Sequence, residues 1–220
     1  MKKIIFLVAA LAGILFAKSV ELATPPDHKD GVNHLELVLI LDKSGSMSGL
    51  ESDTIGGFNS MIEKERKEGI DASVTTVLFD TKFNVIHNRT PLKKVENLTS
   101  KEYYAGGNTA LLDAIGSTIA RIERVPDIYA KNNRVLFVII TDGMENSSRE
   151  YSKAQIKKMI SDKQKKYDWE FIFLGANIDA ASEAQSIGIK SENALKYENS
   201  KEGVSKNFEA AAEISKDVAT

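Results

Sequence analysis

Residues Leu37 to Gly49 read LVLILDKSGSMSG. The apolar run Leu37–Leu41 ends at one carboxylate, Asp42, and then come two hydroxyls, Ser44 and Ser46, set apart by Gly45. An apolar run with no polar alternation is the pattern of a strand buried on both faces of a parallel sheet. Open α/β sheets bind ligands just beyond the carboxyl ends of such strands, so the polar residues that follow Leu41 are the first candidates for a site.

Working outward, two further runs have the same character: Val135–Ile140 (VLFVII) and the shorter Phe171–Leu174 (FIFL). Ser73–Phe79 and Phe83–His87 alternate more and are separated by Asp80-Thr81-Lys82, which predicts a hairpin ending in an antiparallel edge strand. Between the strands lie apolar stripes at helical spacing: Ile55, Phe58 and Ile62, then Leu111, Leu112, Ile115, Ile119 and Ile122. Ser152 with Gln155 forms a capping box ahead of Ile156, Met159 and Ile160. Ala180–Ile187 reads as a short helix, and Val204, Phe208, Ala211 and Val218 mark one side of a closing helix. Strands alternating with helices predict an α/β fold: a doubly wound, mostly parallel central sheet with one antiparallel edge strand and helices on both faces.

Composition narrows the chemistry. The chain has 220 residues, enough for one full domain, and a formal net charge of −2, without the basic excess of a general nucleic-acid binder. It has no cysteine and three scattered histidines, so a metal here must be held mainly by oxygen. At the N-terminus Lys2-Lys3 precede the apolar run Ile4–Ala17, the pattern of a secretory signal, and that run is too short for a membrane span. Residues 1–19 therefore read as a signal peptide and 20–33, with Pro25-Pro26 and Gly31, as a linker. Residues 34–220 read as the folded domain. Export to a periplasmic or extracellular location follows, or a cytoplasmic one if the segment is not a working signal.

Three polar groups follow buried runs or precede a helix at the same sheet edge: Asp42-Lys43-Ser44-Gly45-Ser46, Thr141-Asp142-Gly143, and Gly106-Gly107-Asn108-Thr109. Two carboxylates and three hydroxyls suit a hard divalent cation such as Mg²⁺, which takes oxygen ligands and keeps several of its waters. Where the hydroxyls bind directly and the carboxylates through water, the ion keeps charge enough to attract an external carboxylate. Gly45 lets the chain turn between Ser44 and Ser46, and Gly106-Gly107 let it bend toward Thr109. Taken singly, Asp42 also suits a plain turn, and Ser44 or Ser46 a helix cap. The combination with Thr109 and Asp142 favours metal ligation.

Asp42-x-Ser44-x-Ser46 after the first strand, Thr109 after a glycine-rich loop and Asp142 in ITDG resemble the metal-ion-dependent adhesion site (MIDAS) of the von Willebrand factor type A (VWA) domain family. The likeness runs from about Leu35 to at least Tyr197, and the chain is most similar to bacterial stand-alone members. It implies a Rossmann-like domain that holds Mg²⁺ or Mn²⁺ through Asp42, Ser44, Ser46, Thr109 and Asp142. The protein partner would complete the coordination with an Asp or Glu. It also implies that the closing helix, from Val204 to Val218, responds to occupancy of the site.

Around these residues Lys43, Gly107, Gly143, Glu145 and Asn177 are candidates for the rim. Lys43 reads as solvent-facing, and Glu145-Asn146 fit an ordinary polar loop equally well. Tyr103-Tyr104 either offer aromatic area to a partner or pack beneath the glycine loop. Asp113 suits the first turn of its helix and Asp179 an N-cap.

Three functions compete: a metal-dependent, non-catalytic protein-binding module; a Mg²⁺-dependent phosphotransferase or phosphatase of the haloacid dehalogenase type; and a scaffold in which the ion only stabilises the fold. The second needs a carboxylate two residues after the first, where this chain has Ser44. No G-x-S-x-G elbow, P-loop or G-x-G-x-x-G after a strand is present.

Overall fold

The structure is a computed structural model and describes residues 34–219 apart from 127, 131, 177–178 and 199. The signal and linker readings, and the candidate Asn177, lie outside the described residues. Six strands form one sheet: β1 (His34–Asp42), β2 (Ala72–Phe79), β3 (Phe83–Pro91), β4 (Asn133–Thr141), β5 (Glu170–Ala176) and β6 (Ala194–Tyr197). Five α-helices accompany them: α1 (Glu51–Glu68), α2 (Leu111–Ile122), α3 (Lys153–Tyr167), α4 (Ala180–Ser186) and α5 (Lys201–Ala219). The strand order is β3-β2-β1-β4-β5-β6, with every pairing parallel except the β2–β3 hairpin. This is the Rossmann-like α/β arrangement, with β3 as the antiparallel edge.

The order places the site. From β1 the chain builds outward through β2 to β3, then crosses back to lay β4 on the other side of β1. The reversal point is therefore between β1 and β4, where connections leave the sheet in opposite directions and open a crevice beyond the carboxyl ends. Asp42 ends β1, and Asp142 immediately follows β4.

Both faces of β1 are buried, which is why its sequence shows no alternation. Leu35, Leu37, Leu39 and Leu41 point into one core with Phe58, Met61 and Ile62 of α1 and Val204, Phe208 and Ala211 of α5. Val38 and Ile40 point into the other, with Leu111, Ile115 and Ile119 of α2 and Ile156 and Ile160 of α3. Each such side chain contributes roughly 1.5–3 kcal/mol by leaving water, so the strand end is fixed by packing before any ligand acts.

Several local expectations hold. Ser152 and Gln155 close the capping box of α3, and the Asp179 carboxylate accepts from the Ser182 N–H at 3.1 Å at the start of α4. Asp113, in the first turn of α2, accepts from the backbone N–H groups of Arg149, Glu150 and Tyr151 and so ties down the segment leading to α3. Strand β6 is not marked in the sequence. With four residues, two of them exposed, ALKY has neither the length nor the apolar run of the other strands, and it forms by pairing with β5.

Candidate metal centre at the sheet edge

The buried end of β1 presents Asp42 at the crevice. Its Oδ1 accepts the Ser44 N–H at 2.7 Å and its Oδ2 accepts the Thr141 hydroxyl at 2.5 Å. Its carbonyl accepts the hydroxyl of buried Tyr103 at 2.5 Å. The residue is thus clamped by its own turn, by β4 and by the loop before α2. After Ser44 a single 3-10 turn, Gly45–Met47, drives Met47 into the core and turns Ser46 back toward the crevice. There the Ser46 hydroxyl donates to Asp142 Oδ1 at 2.5 Å and lies 3.1 Å from the Ser44 hydroxyl.

Thr109 arrives from the glycine loop. Gly107 has φ +76°, and a Cβ there would fall 2.9 Å from the Thr81 hydroxyl, so glycine is required on both counts. The Gly107 carbonyl accepts the Gly45 N–H at 3.1 Å, which fastens the loop to the β1 turn. The Asn146 side chain accepts the Thr109 N–H at 2.9 Å, and the Asn146 N–H donates to the Thr109 carbonyl at 3.0 Å.

Gly143 shows how closely the donors converge. A Cβ on Gly143 would lie 2.9 Å from Thr109 Oγ1, 3.2 Å from Ser46 Oγ and 3.6 Å from Asp42 Oδ2. Oxygens from two segments, the β1 turn and the glycine loop, therefore approach one point, and the hydroxyl contacts above join Ser44 and, from the end of β4, Asp142 to the same cluster. A side chain at residue 143 would fill the space that these oxygens enclose. Among the described residues, no group of three or more His, Cys, Asp or Glu side chains is placed to hold a metal ion. Cation binding here must therefore use the hydroxyls, and the donor set fits a hard, oxygen-seeking cation.

Electrostatics agree with that fit. Burial pushes the Asp42 carboxyl up to about 6 against the hydrogen bonds from Thr141 and Ser44, and the neighbouring Asp142 charge pushes it in the same direction. Two acidic groups at 1 % and 5 % exposure are costly without a counter-charge, and a bound cation reverses that cost.

The rim residues have different roles. Lys43 does not face solvent: it is 3 % exposed, and its ammonium pairs with Asp80 at 2.5 Å and lies 4.3 Å from the centroid of the Tyr104 ring. The β1–β2 register, with Asp42 opposite Phe79, brings these two residues together from 37 positions apart. Glu145 turns its carboxylate to the N–H groups of Leu112, Ser147 and Ser148, so it caps α2. Two further residues support the site: Tyr103 takes the packed one of its two sequence readings, buried with its hydroxyl on the Asp42 carbonyl, and Thr141 carries no role of its own in the sequence. Thr141 stood beside Asp142 at the strand end, but only the β1–β4 pairing shows that its hydroxyl reaches Asp42.

No model of a known protein family matches the chain, and no curated protein matches it. Solved structures do. The von Willebrand factor type A protein of Catenulispora acidiphila is 16 % identical with a TM-score of 0.59, over 83 % of this chain and 42 % of that one. Proximal thread matrix protein 1 of the mussel byssus, with a zinc-occupied MIDAS motif, is 16 % identical with a TM-score of 0.59, over 82 % and 45 %. The pilus adhesin SpaC of Lactobacillus rhamnosus GG is 12 % identical with a TM-score of 0.66, over 89 % and 32 %. This chain spans less than half the length of each. It has the VWA fold, and at these identities the likeness is one of fold.

Proposed function

We propose that the protein is a metal-dependent interaction module in which Asp42, Ser44, Ser46, Thr109 and Asp142 hold Mg²⁺ or Mn²⁺ and a protein partner supplies an Asp or Glu to the ion. The observation that carries this reading is the convergence of hydroxyl and carboxylate oxygens around the bare Cα of Gly143. Adhesins and VWA proteins among the structural neighbours support an interaction role. The neighbour with zinc at its MIDAS supports a divalent ion. The pilus and byssus neighbours, together with the Lys2–Ala17 signal pattern, favour export. Among the described residues no helix is long and apolar enough to cross a membrane.

When bound, the ion supplies a fixed positive charge with a coordination position open to a carboxylate. The chain's residues supply the rest. Thr141 and the Ser44 N–H aim Asp42, Asn146 holds the Thr109 backbone, and Tyr103 anchors the carbonyl end of the β1 turn. Calorimetric titration with Mg²⁺ and Mn²⁺ tests the reading. One saturable site is expected in the parent, with binding lost in Asp42→Ala and Thr109→Ala while circular dichroism stays unchanged. Equal binding in all three proteins would refute the assignment.

A further inference from the structure

Lys163 stands apart from the other lysines of α3. Lys157, Lys158, Lys165 and Lys166 are exposed, whereas Lys163 is 8 % exposed. Its ammonium lies 5.1 Å from the centroid of the Trp169 ring, 5.2 Å from that of Tyr167 and 5.4 Å from that of Tyr129. It donates to the Tyr129 hydroxyl at 2.9 Å and pairs with the Glu123 carboxylate at 2.7 Å. Three aromatic rings and one acid gathered around one ammonium are the groups that recognise alkylammonium ligands.

The walls of this box come from separate parts of the chain. Glu123 caps the end of α2, Tyr129 lies in the connection to β4, Tyr167 ends α3, and Trp169 immediately precedes β5. Strands β4 and β5 both begin here, so the box stands at the amino edge of the sheet, opposite the metal centre. The rings also hold one another. Tyr129 packs on Tyr167 with centroids 4.2 Å apart and on Trp169 at 6.1 Å, and Trp169 stacks on buried Phe137 at 5.6 Å. Ring packing anchored in the core fixes the walls without help from the ammonium, and a preformed box loses little freedom when a cation enters.

Neither an ion pair nor an apolar pocket accounts for this arrangement by itself. A lone acid would hold any small cation, and a lone apolar pocket any short alkyl chain. Burial pulls the Lys163 ammonium down, and the bonds to Glu123 and Tyr129 outweigh it, so the group ends above its ordinary value. The rings and the acid together favour a cation with an alkyl stem.

We propose that Tyr129, Tyr167, Trp169 and Glu123 form an alkylammonium-binding site whose ligand in the native chain is the Lys163 side chain. The protein thus binds its own helix α3, which fastens the connection between α2 and β4. With the lysine cut back, the same site takes a free alkylammonium ion.

Trp169 is the only tryptophan in the chain, so its emission reports on the box directly. Lys163→Ala removes the part of the side chain that n-propylammonium supplies. On the full chain, n-propylammonium is expected to change Trp169 emission saturably in Lys163→Ala and not in the parent, whose site is filled. It should bind at least about tenfold more tightly than n-propanol, and Na⁺ at equal ionic strength should give no response. Adding Glu123→Gln to Lys163→Ala should weaken binding by about tenfold. Lys163→Met, which fills the box without a charge, should not respond. If Lys163→Ala is unfolded by itself, the same titration is followed by circular dichroism, because a ligand of the folded state draws the chain back to it. Equal binding of n-propanol overturns the inference, since the box would then be an apolar cavity only. Equal binding of Na⁺ overturns it as well, since the acid would then act by itself. An equal response in the parent shows that Lys163 is not the ligand. Neither binding nor refolding of Lys163→Ala at about 0.1 M n-propylammonium also contradicts the assignment.

Discussion

The carboxyl edge of the sheet and the seam between α1 and α5 each bury an acid, and they treat it in opposite ways. Asp42, 1 % exposed, accepts a hydrogen bond on each oxygen and faces the crevice between β1 and β4. Glu65, also 1 % exposed, has only the Ser215 hydroxyl of α5 as a hydrogen-bonding neighbour, and that one group does not offset the cost of burial. Burial raises both groups, to about 6 for Asp42 and to about 7 for Glu65. The lesson lies in the surroundings. Asp42 is oriented as a charged acceptor with other oxygens facing the same point, which is a place for a cation. Glu65 has only apolar packing and one hydroxyl, which suits a neutral acid.

The sharpest way to separate the two is pH. The ordinary value for Glu65 is 4.5 and the folded value about 7, so between them the unfolded chain releases its proton while the folded one keeps it. Stability should therefore fall as pH rises from about 4.5 to about 7 and be level above that, by about 3 kcal/mol from this residue. Asp42 adds to the same slope when no metal is bound, so the difference between parent and Glu65→Gln isolates the seam. Guanidinium unfolding across this range should give a flatter profile for Glu65→Gln, and parallel profiles would show that Glu65 is charged and solvated when folded.

At the sheet edge the corresponding break is Gly143→Ala, which removes no donor. Its Cβ would press on Thr109 Oγ1 and Ser46 Oγ, and overpacking of that kind costs about 2 kcal/mol, or roughly thirtyfold in metal affinity. Titration with unchanged affinity would mean that the oxygens do not enclose the binding point. Thr141→Val keeps the shape and deletes the hydroxyl that aims Asp42. Groups that orient a metal ligand are worth about tenfold or more in affinity, so a tenfold loss with the fold intact is expected. The smallest effect is that of Tyr103→Phe, which removes one buried hydrogen bond to the Asp42 carbonyl and should cost about 1 kcal/mol in thermal or denaturant stability.

Much of this edge is legible in the sequence because strand ends are legible. LVLIL and VLFVII declare themselves by composition, and the residues directly after each run must emerge at the same side of a parallel sheet. That places Asp42, Ser44, Ser46 and Asp142 at one edge and the glycine loop adds Thr109, while their choice as one ligand set rests on the resemblance to the MIDAS. What escapes is whatever depends on register. Lys43 meets Asp80 only because β1 and β2 pair in one particular alignment, and nothing local in DKSGS tells a buried lysine from a solvated one.

Glu65 escapes for another reason. It lies in the charged run Glu63–Glu68, which reads as a solvated face, yet Thr54, Phe58, Met61 and Ile62 form a buried stripe that reaches it one turn later. Helical period carried the signal and composition obscured it. Tyr103 and Tyr104 are adjacent in sequence and opposite in role. One packs under the turn and the other stands in solvent on Lys43, a choice made by the backbone of the loop leading to Gly106-Gly107, which no residue type announces.

The central claim is that the oxygens around Gly143 hold a divalent cation. Its most direct test is anomalous diffraction from crystals of the protein grown with Mn²⁺. The account predicts one strong anomalous peak within coordination distance of the Ser44 and Ser46 hydroxyls, with Asp42, Thr109 and Asp142 bound directly or through water. A peak confined to another part of the molecule, or none at saturating Mn²⁺, would contradict it.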